Sequence, residues 1–595
     1  MIKEKRVMNT KIYKIALAIC MTCGFASCSD FLEIEPQNEI ILEKFWNEKA
    51  DVDAIIGGCY SALQDEGVIK RMMVWGEFRS DNISVGRNIQ QDGSLEKVLK
   101  ENIDAKNTYT DWSGFYEVIN RCNTVIKYAP GVAEVDPAYT QSELQANIAE
   151  MVALRSLSYF YLIRTFRDVP FSREAYTDDD QKMDLPATKF DAVVDSLIDD
   201  LESVKNNAVK RYPVTKPLYQ TGRVTQDFIH ALLCELYLWK KDYQNCIRYA
   251  DMVIAAKKVI YEENRLQKTS STISQTNDVE EKYNGYPLVS NSSQVNYFGD
   301  AYDTLFGYDN DNQDELNQEI IFQLIFDDDP QGSSMRQNGA VNTFYGNSQS
   351  NIGFVAPSDF IFDDYDEKKG EVWAEKNKKL DSRIFFDCDV DDKSINKYKT
   401  RTLTIESASS SSTPRYSYGS TYPQNQNGSN WIIYRLSDIM LMKAEALTQQ
   451  MREGSDADVV EYNKPLLSQA FSLVNAINKR ALCQSKLADT LLATDYTTKS
   501  LMEELVYQER QRELMFEGKR WYDLVRISQR TGNTQKLSTA ARRKATTGAD
   551  LIANLLAKMD AIYWPYNLDE IKVNSNLVQN PAFSSGEDTS YQKTK

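Results

Sequence analysis

The sequence is nearly without histidine. Its only one, His230, sits in the run Phe228-Ile229-His230-Ala231-Leu232-Leu233 of a 595-residue chain. A Ser-His-Asp or Cys-His catalytic site would have to use that imidazole, and a lone histidine inside a helical apolar run reads as a structural residue. Zinc ligands are as scarce: outside the N-terminal leader there is no CxxC, HExxH or HxH spacing. Beyond residue 28 the cysteines are Cys59, Cys122, Cys234, Cys246, Cys388 and Cys483. They are too scattered for a disulfide-stapled secreted domain, and the sequence assigns no pair among them. No apolar run beyond the N-terminus reaches the roughly 18 residues of a membrane-spanning helix. Basic charge is short too. The net charge is −17, and removing residues 1–27, with five basic residues and one acid, takes it to −21. So acidic a body is repelled by phosphate backbones and anionic headgroups, which argues against nucleic acid as a partner.

The N-terminus carries an export signal. Lys11 and Lys14 precede an apolar stretch from Ile15 that runs to Phe25-Ala26-Ser27-Cys28 and stops at Ser29-Asp30. About a dozen apolar residues are too few to span a bilayer and suit a secretory leader; Met8 is a second candidate start. Small residues before Cys28 resemble a bacterial lipobox, so residues 1–27 are expected to be removed and Cys28 to carry lipid. Two or more acyl chains make such an anchor stable.

The body is patterned as helix, and its abundant aromatics (34 Tyr, 23 Phe and 8 Trp) are mostly expected in the core. Trp112, Phe115, Ile119, Cys122 and Ile126 form one helical face, and Ile148, Val152, Arg155, Leu157 and Phe160 form a second stripe. The second stops at Asp168-Val169-Pro170, because a residue before proline leaves the helical region. Between Thr225 and Ala255, two apolar helices joined at Lys241-Asp242-Tyr243 show the tetratricopeptide pattern, which recurs at Leu436–Leu447 and Leu466–Leu482. Such pairs stack because neither buries its face alone. From about Lys257 to Ser429, Gly, Asn, Ser and Asp accumulate around short β-like runs such as Ile320–Phe326, as in a functional, loop-rich insertion. The expected organisation is a leader at 1–27, helical scaffold at 28–256, an irregular insertion at 257–430 and further scaffold at 431–595.

Several fragments stand in a characteristic order. Cys28-Ser29-Asp30-Phe31-Leu32-Glu33 comes first, and Phe45-Trp46 precedes Gly57-Gly58-x-Tyr60. Arg121-Cys122-Asn123 follows, then Arg155-x-x-x-Tyr159-Phe160 with Asp168-Val169-Pro170. Next are Gly222-Arg223, Tyr434-Arg435-Leu436-x-x-Ile439-x-Leu441 and Ala444-Glu445-Ala446. The series closes with Glu509-Arg510-x-x-Glu513-Leu514-x-Phe516-Glu517-Gly518-x-Arg520-x-x-Asp523-Leu524 and Gln579-Asn580-Pro581. Nearly end to end, the chain resembles the SusD/RagB family of nutrient-uptake lipoproteins. It departs at Arg167, where many relatives have glycine, and at Trp564-Pro565-Tyr566, where isoleucine after the proline is more usual. The resemblance implies a mainly α, tetratricopeptide-type fold on the outer face of the outer membrane. It also implies a SusC-like TonB-dependent transporter as partner, an oligosaccharide or other nutrient as ligand, and no chemistry of its own.

The candidate sites follow. Glu509 to Asp523 gathers four carboxylates on one expected helix, as a glycosidase might require. The arginines between them keep carboxyl pKa values low, so the run reads as scaffold. Asp309–Glu315 is oxygen-rich but lacks the central glycine and closing glutamate of a calcium loop, so no cofactor is expected and calcium is only a weak alternative. A sugar needs a flat ring and a polar edge. Trp75 with Arg79, Asp81 and Asn82 offers both, in a region from which relatives contribute glycan contacts; Tyr308 and Tyr345 could add a platform. Equally, Trp75 could be core and Asp81 could cap a turn. Two rival readings are a surface glycoside hydrolase with paired carboxylates and a helical-repeat adaptor for peptides.

Overall fold

The computed structural model describes residues 45–584 except 179, 270–282, 291–299, 308–317, 327–336, 368–370, 374–380, 407–414, 424–425, 483–490 and 546–547. Cys28, Tyr308, Cys483 and the acidic run Asp309–Glu315 therefore lie outside the described residues. Among the described residues no helix is long and apolar enough to cross a membrane.

The molecule is mainly helical. The first half is built on α1 (Lys49–Leu63), α2 (Glu66–Met73), α3 (Ser113–Val135) and α4 (Gln141–Phe166). Helix α4 starts at a capping box, in which Thr140 Oγ1 accepts from the Glu143 N–H while the Glu143 carboxylate accepts from the Thr140 N–H. From Ala149 to Phe166 every residue of α4 is buried, as expected of a helix with neighbours on all sides. It ends where the sequence indicates, and Arg167 carries the turn at φ +70°. That backbone region favours glycine, the residue that the family resemblance leads one to expect there.

The helical pair expected at 225–255 is present as α5 (Gln226–Lys240) and α6 (Tyr243–Thr269). Thr225 caps α5, and Lys241 turns the chain at φ +66°. The recurrence is α7 (Leu436–Gln450) with α8 (Ala457–Ala481), followed by α9 (Lys499–Leu514) and α10 (Arg520–Thr531). Helix α6 packs directly on α7, so the two pairs form one stack although the segment expected as an insertion separates them in sequence. The five described cysteines are buried free thiols, and Cys234 and Cys246 touch across α5 and α6 with sulfurs 3.6 Å apart.

The intervening segment is more deeply integrated than loops laid on a scaffold. Helix α6 runs to Thr269, past the expected boundary at 256. Strand β2 (Ile320–Leu324) pairs antiparallel with β4 (Trp431–Arg435), and β1 (Ile83–Val85) pairs with β3 (Val355–Pro357). Phe322, Phe344, Trp373, Phe385 and Tyr398 belong to the same apolar core as Trp75, Phe115 and Phe160. The segment carries its own share of that core.

Candidate binding cleft

The residues proposed from sequence as a sugar platform are buried. Trp75 is 0% exposed; its ring stacks on Phe115 at 5.0 Å, meets Phe166 edge-on at 5.3 Å, and its Nε1–H donates to the Tyr109 carbonyl. Arg79 donates to Glu101 and to the carbonyls of Ala561 and Ile562, with its guanidinium 4.3 Å over Trp521. Asp81 is paired with Arg520 at 2.9 Å, and Asn82 donates to Glu77 and accepts from Gln511. Tyr345 donates its hydroxyl proton to the Phe516 carbonyl at 2.9 Å. All five are core pins and not sugar contacts: the 511–520 segment takes up Asp81, Asn82 and Tyr345. Phe115, Phe166 and Tyr109 enclose Trp75, while Glu101, Trp521 and the 561–562 carbonyls hold Arg79. His230 is likewise buried, beside Tyr249.

The charged run is the centre of a buried ion network. Glu513 accepts from Arg435 at 2.6 Å, Arg480 at 2.5 Å, Arg383 at 3.1 Å and the Tyr302 hydroxyl at 2.8 Å. Glu517 pairs with Arg435 and Lys397, Glu509 with Arg383 and Arg512, and Asp523 with Arg510 and Arg526. Burial alone would raise the carboxyls of Glu509, Glu513 and Glu517, but the adjacent cations outweigh it and hold all three below the usual range. Acids fixed in that state cannot donate a proton at neutral pH, as a glycosidase acid must. Around Glu513, six carboxylates (Glu319, Asp381, Asp387, Glu509, Glu513, Glu517) face five cations (Arg383, Lys397, Arg435, Arg480, Arg512). The excess acid is legible: burial pushes Asp387 up to about 7, with Lys397 only partly offsetting it.

This network sets an expected pH response. Asp438, on α7, is buried, yet Lys519 and Arg510 hold its carboxyl at about 2, and Arg526 and Arg530 likewise hold Glu445 low. A group depressed on folding stabilises the fold above its unfolded value and loses that contribution as pH falls through the folded value. Asp387, being raised, acts in the opposite sense: its contribution is present in acid and lost as pH rises through about 7. Glu77 and Glu570, also raised by burial, act with it against the depressed carboxyls. The melting temperature should therefore rise modestly as pH falls from about 7 to 5, where the raised carboxyls take up their protons, and fall steeply from about pH 4 towards 2, read by calorimetry across that series. A flat acid limb would mean that these pairs do not stabilise the fold.

The open site lies elsewhere. A cleft of about 1110 Å³ is walled by the starts of α2 and α3, the segment from Pro170 to Leu185, and the C-terminal stretch from Glu570 to Leu577. Trp112, Tyr116, Tyr159 and Tyr176 line it, with Trp112 and Tyr116 meeting edge-on at 5.5 Å and Tyr116 and Tyr159 at 6.1 Å. The rings of Tyr116 and Tyr176 are only half-buried. Two exposed apolar side chains mark the rim, Met183 at 54% and Val573 at 77%. The long wall is pinned to α3. Asn120 donates to the Tyr176 carbonyl at 2.8 Å and accepts from its N–H at 2.7 Å; Asn123 donates to the Glu174 carbonyl and accepts from Arg155. Tyr159 exchanges hydrogen bonds with the Ser172 backbone, and Tyr116 donates to the Pro170 carbonyl. A cleft so braced is preformed.

None of these residues was among the sugar candidates read from the sequence. The signal was available: Tyr116, Asn120 and Asn123 fall at helical steps of four and three, on a face adjoining the Phe115–Cys122 core stripe. Only the return of residues 170–185 over that face makes it a cleft. Among the described residues no group of three or more His, Cys, Asp or Glu is placed to hold a metal ion.

Comparison with known proteins agrees with this architecture. Residues 318–583 match the family model described as SusD family, and residues 30–238 match one described as starch-binding associating with outer membrane. SusD-like protein P38 of Formosa agariphila is 24% identical over 542 residues, covering 88% of this chain and 92% of that protein. Among solved structures, a SusD superfamily protein from Bacteroides thetaiotaomicron superposes with TM-score 0.60 at 20% identity, covering 91% of this chain and 99% of that one. A laminarin-binding SusD-like protein superposes with TM-score 0.57 at 19% identity, covering 90% and 100%. Two family models that together span most of the sequence, and a shared fold along nearly all of it, place this chain in the SusD/RagB family.

Proposed function

We propose that this protein binds a glycan in the Tyr116–Tyr176 cleft, anchored to the outer membrane through lipid on Cys28, and passes it to a TonB-dependent transporter. It does so without catalysis and without a cofactor. The observation that carries the reading is the cleft, where half-buried tyrosine faces lie beside a polar wall held rigid from beneath. Sugar rings offer C–H faces to stack and hydroxyls at the edge, and such a surface receives both. The family's description as associating with the outer membrane, and the laminarin-binding relative, support membrane and ligand class. The hydrolase alternative is disfavoured because the acids of the Glu509–Asp523 run are buried and paired.

A glycan array followed by calorimetry tests this. Tyr176 is the informative position, because its side chain makes one internal hydrogen bond, a 3.2 Å contact to Ser172 Oγ, while its backbone makes the bonds to Asn120. Burying a sugar face on the ring gains roughly 25 cal/mol per Å². Tyr176→Ala should therefore weaken binding by about 1–3 kcal/mol, roughly tenfold to hundredfold, with melting little changed. A folded Tyr176→Ala protein that binds like wild type would move the site out of this cleft. Failure of every glycan to bind would sink the glycan reading itself.

A further inference from the structure

The charged groups that line the cleft are mostly of one sign. Its amides are held by the protein: Asn120 and Asn123 donate to the loop carbonyls already described, and Gln181 donates to the Ala175 carbonyl. Arg71 is committed as well, to the carbonyls of Gly67, Thr108 and Asp111 and to the Asp111 carboxylate at 2.8 Å. Lys182 is the remaining cation among the described lining residues; it is loosely held, 73% exposed and 4.0 Å from Asp184. Against these stand five lining carboxylates, Asp65, Asp111, Glu117, Asp184 and Glu570. Asp65, Glu117 and Asp184 are exposed, and Glu117 pairs only with Arg121, its neighbour one turn along α3 and outside the lining. A carboxylate accepts hydrogen bonds and donates none. The cleft thus offers acceptors and a formal excess of three negative charges.

Resting on the glycan reading above, we infer that the cleft selects uncharged, hydroxyl-rich glycan and rejects carboxylated or sulfated chains. Neutral sugars bring hydroxyl donors to free acceptors. A uronate or sulfate brings a second anion to the same wall, where Arg71 is committed and the single loosely held ammonium of Lys182 faces five carboxylates. An anion within about 4 Å of one such carboxylate loses about fivefold in affinity even in water-like surroundings, and more where the cleft excludes water. Residues Asp178 and Asp180 on the same wall extend the negative field.

The test uses matched ligands on the full chain purified in mild detergent. Starch, laminarin and galactomannan are screened against pectate, alginate and chondroitin sulfate. Any neutral glycan that binds is then oxidised at its primary hydroxyls to the carboxylate, which keeps its linkages and adds charge. The oxidised form should bind at least about tenfold more weakly at low salt, and the penalty should shrink as salt screens it. In the double variant Glu117→Gln, Asp184→Asn the ratio of neutral to oxidised affinity should fall from about tenfold towards one, whatever the neutral form itself loses with those two acceptors. Equal or tighter binding of the oxidised form overturns the inference and leaves the glycan reading standing. So does a penalty that neither salt nor the double variant relieves, since that would be steric. If no glycan of either kind binds, the underlying reading fails first.

Discussion

Glu513→Gln is expected to destabilise the protein by about 3–5 kcal/mol. The carboxylate is fully buried and receives hydrogen bonds from three guanidinium groups and a tyrosine hydroxyl. Glutamine keeps the shape but removes the charge, and it turns one oxygen into an amide that can only donate. At the Oε1 position that donor would face Arg435 and Arg480, which cannot accept; at Oε2 it would face Arg383 and displace the proton of the Tyr302 hydroxyl, the one group there able to accept. Buried cations left without compensation are the costly outcome of breaking an ion pair, whatever the net worth of the intact pair. Thermal unfolding by circular dichroism reads the effect, which should be several degrees, with much of the chain recovered in inclusion bodies. The substitution also separates two roles for the acidic run. A glycosidase acid replaced by glutamine would leave a stable, folded and inactive enzyme. A variant melting with wild type would contradict the scaffold role argued here.

Gly76→Ala should be comparably severe, because of a backbone crossing. A Cβ at residue 76 would lie 1.8 Å from the Gly518 carbonyl oxygen and 2.6 Å from its carbon. Those atoms belong to main chain, so no rotamer change relieves the clash, and Gly518 is itself held at φ +73°. Overpacking in a core costs about 1–3 kcal/mol when side chains can yield, and more where they cannot. Gly57→Ala provides the control: it lies within α1, and its Cβ would meet nothing within 4 Å. That change should stabilise by about 0.5–1 kcal/mol, since alanine is the better helix former. The two melting temperatures should move in opposite directions. Parallel shifts would show that close approach at residue 76 is not what requires glycine there.

The crossing explains why reading local pattern misplaced the sugar site. Residues 74–82 interrupt a helical pattern with tryptophan, arginine, aspartate and asparagine, which in isolation is the composition of an exposed recognition loop. Their partners stand more than 400 positions away: Arg520 for Asp81, Gln511 for Asn82 and the Ile562 carbonyl for Arg79. No local window contains both halves of such a pair. Local charge spacing accounts for Glu509 with Arg512 and for Asp523 with Arg510 and Arg526. The one helix expected over Glu509–Asp523 breaks between Leu514 and Arg520, however, and Glu513 and Glu517 are met by Arg383, Lys397, Arg435 and Arg480 from remote sequence.

Although α6 runs past its expected end and the Glu509–Asp523 run breaks after Leu514, the sequence by itself determined the main helical faces, the stop before Pro170 and the pairing of neighbours. These depend on hydrophobic period and the residue before proline, both of which act within a few positions. It also carried the ordered fragments that mark the family. Which aromatic faces stay open to a ligand was decided only by tertiary structure. Trp75 and Tyr116 are both aromatic residues at a helical face, and nothing within ten positions distinguishes them. Phe115, Phe166 and the Tyr109 carbonyl close over Trp75, whereas the 170–185 segment arches past Tyr116 and leaves a cleft of about 1110 Å³. Burial is a property of what returns through space, and for this protein the returning chain arrives from remote sequence.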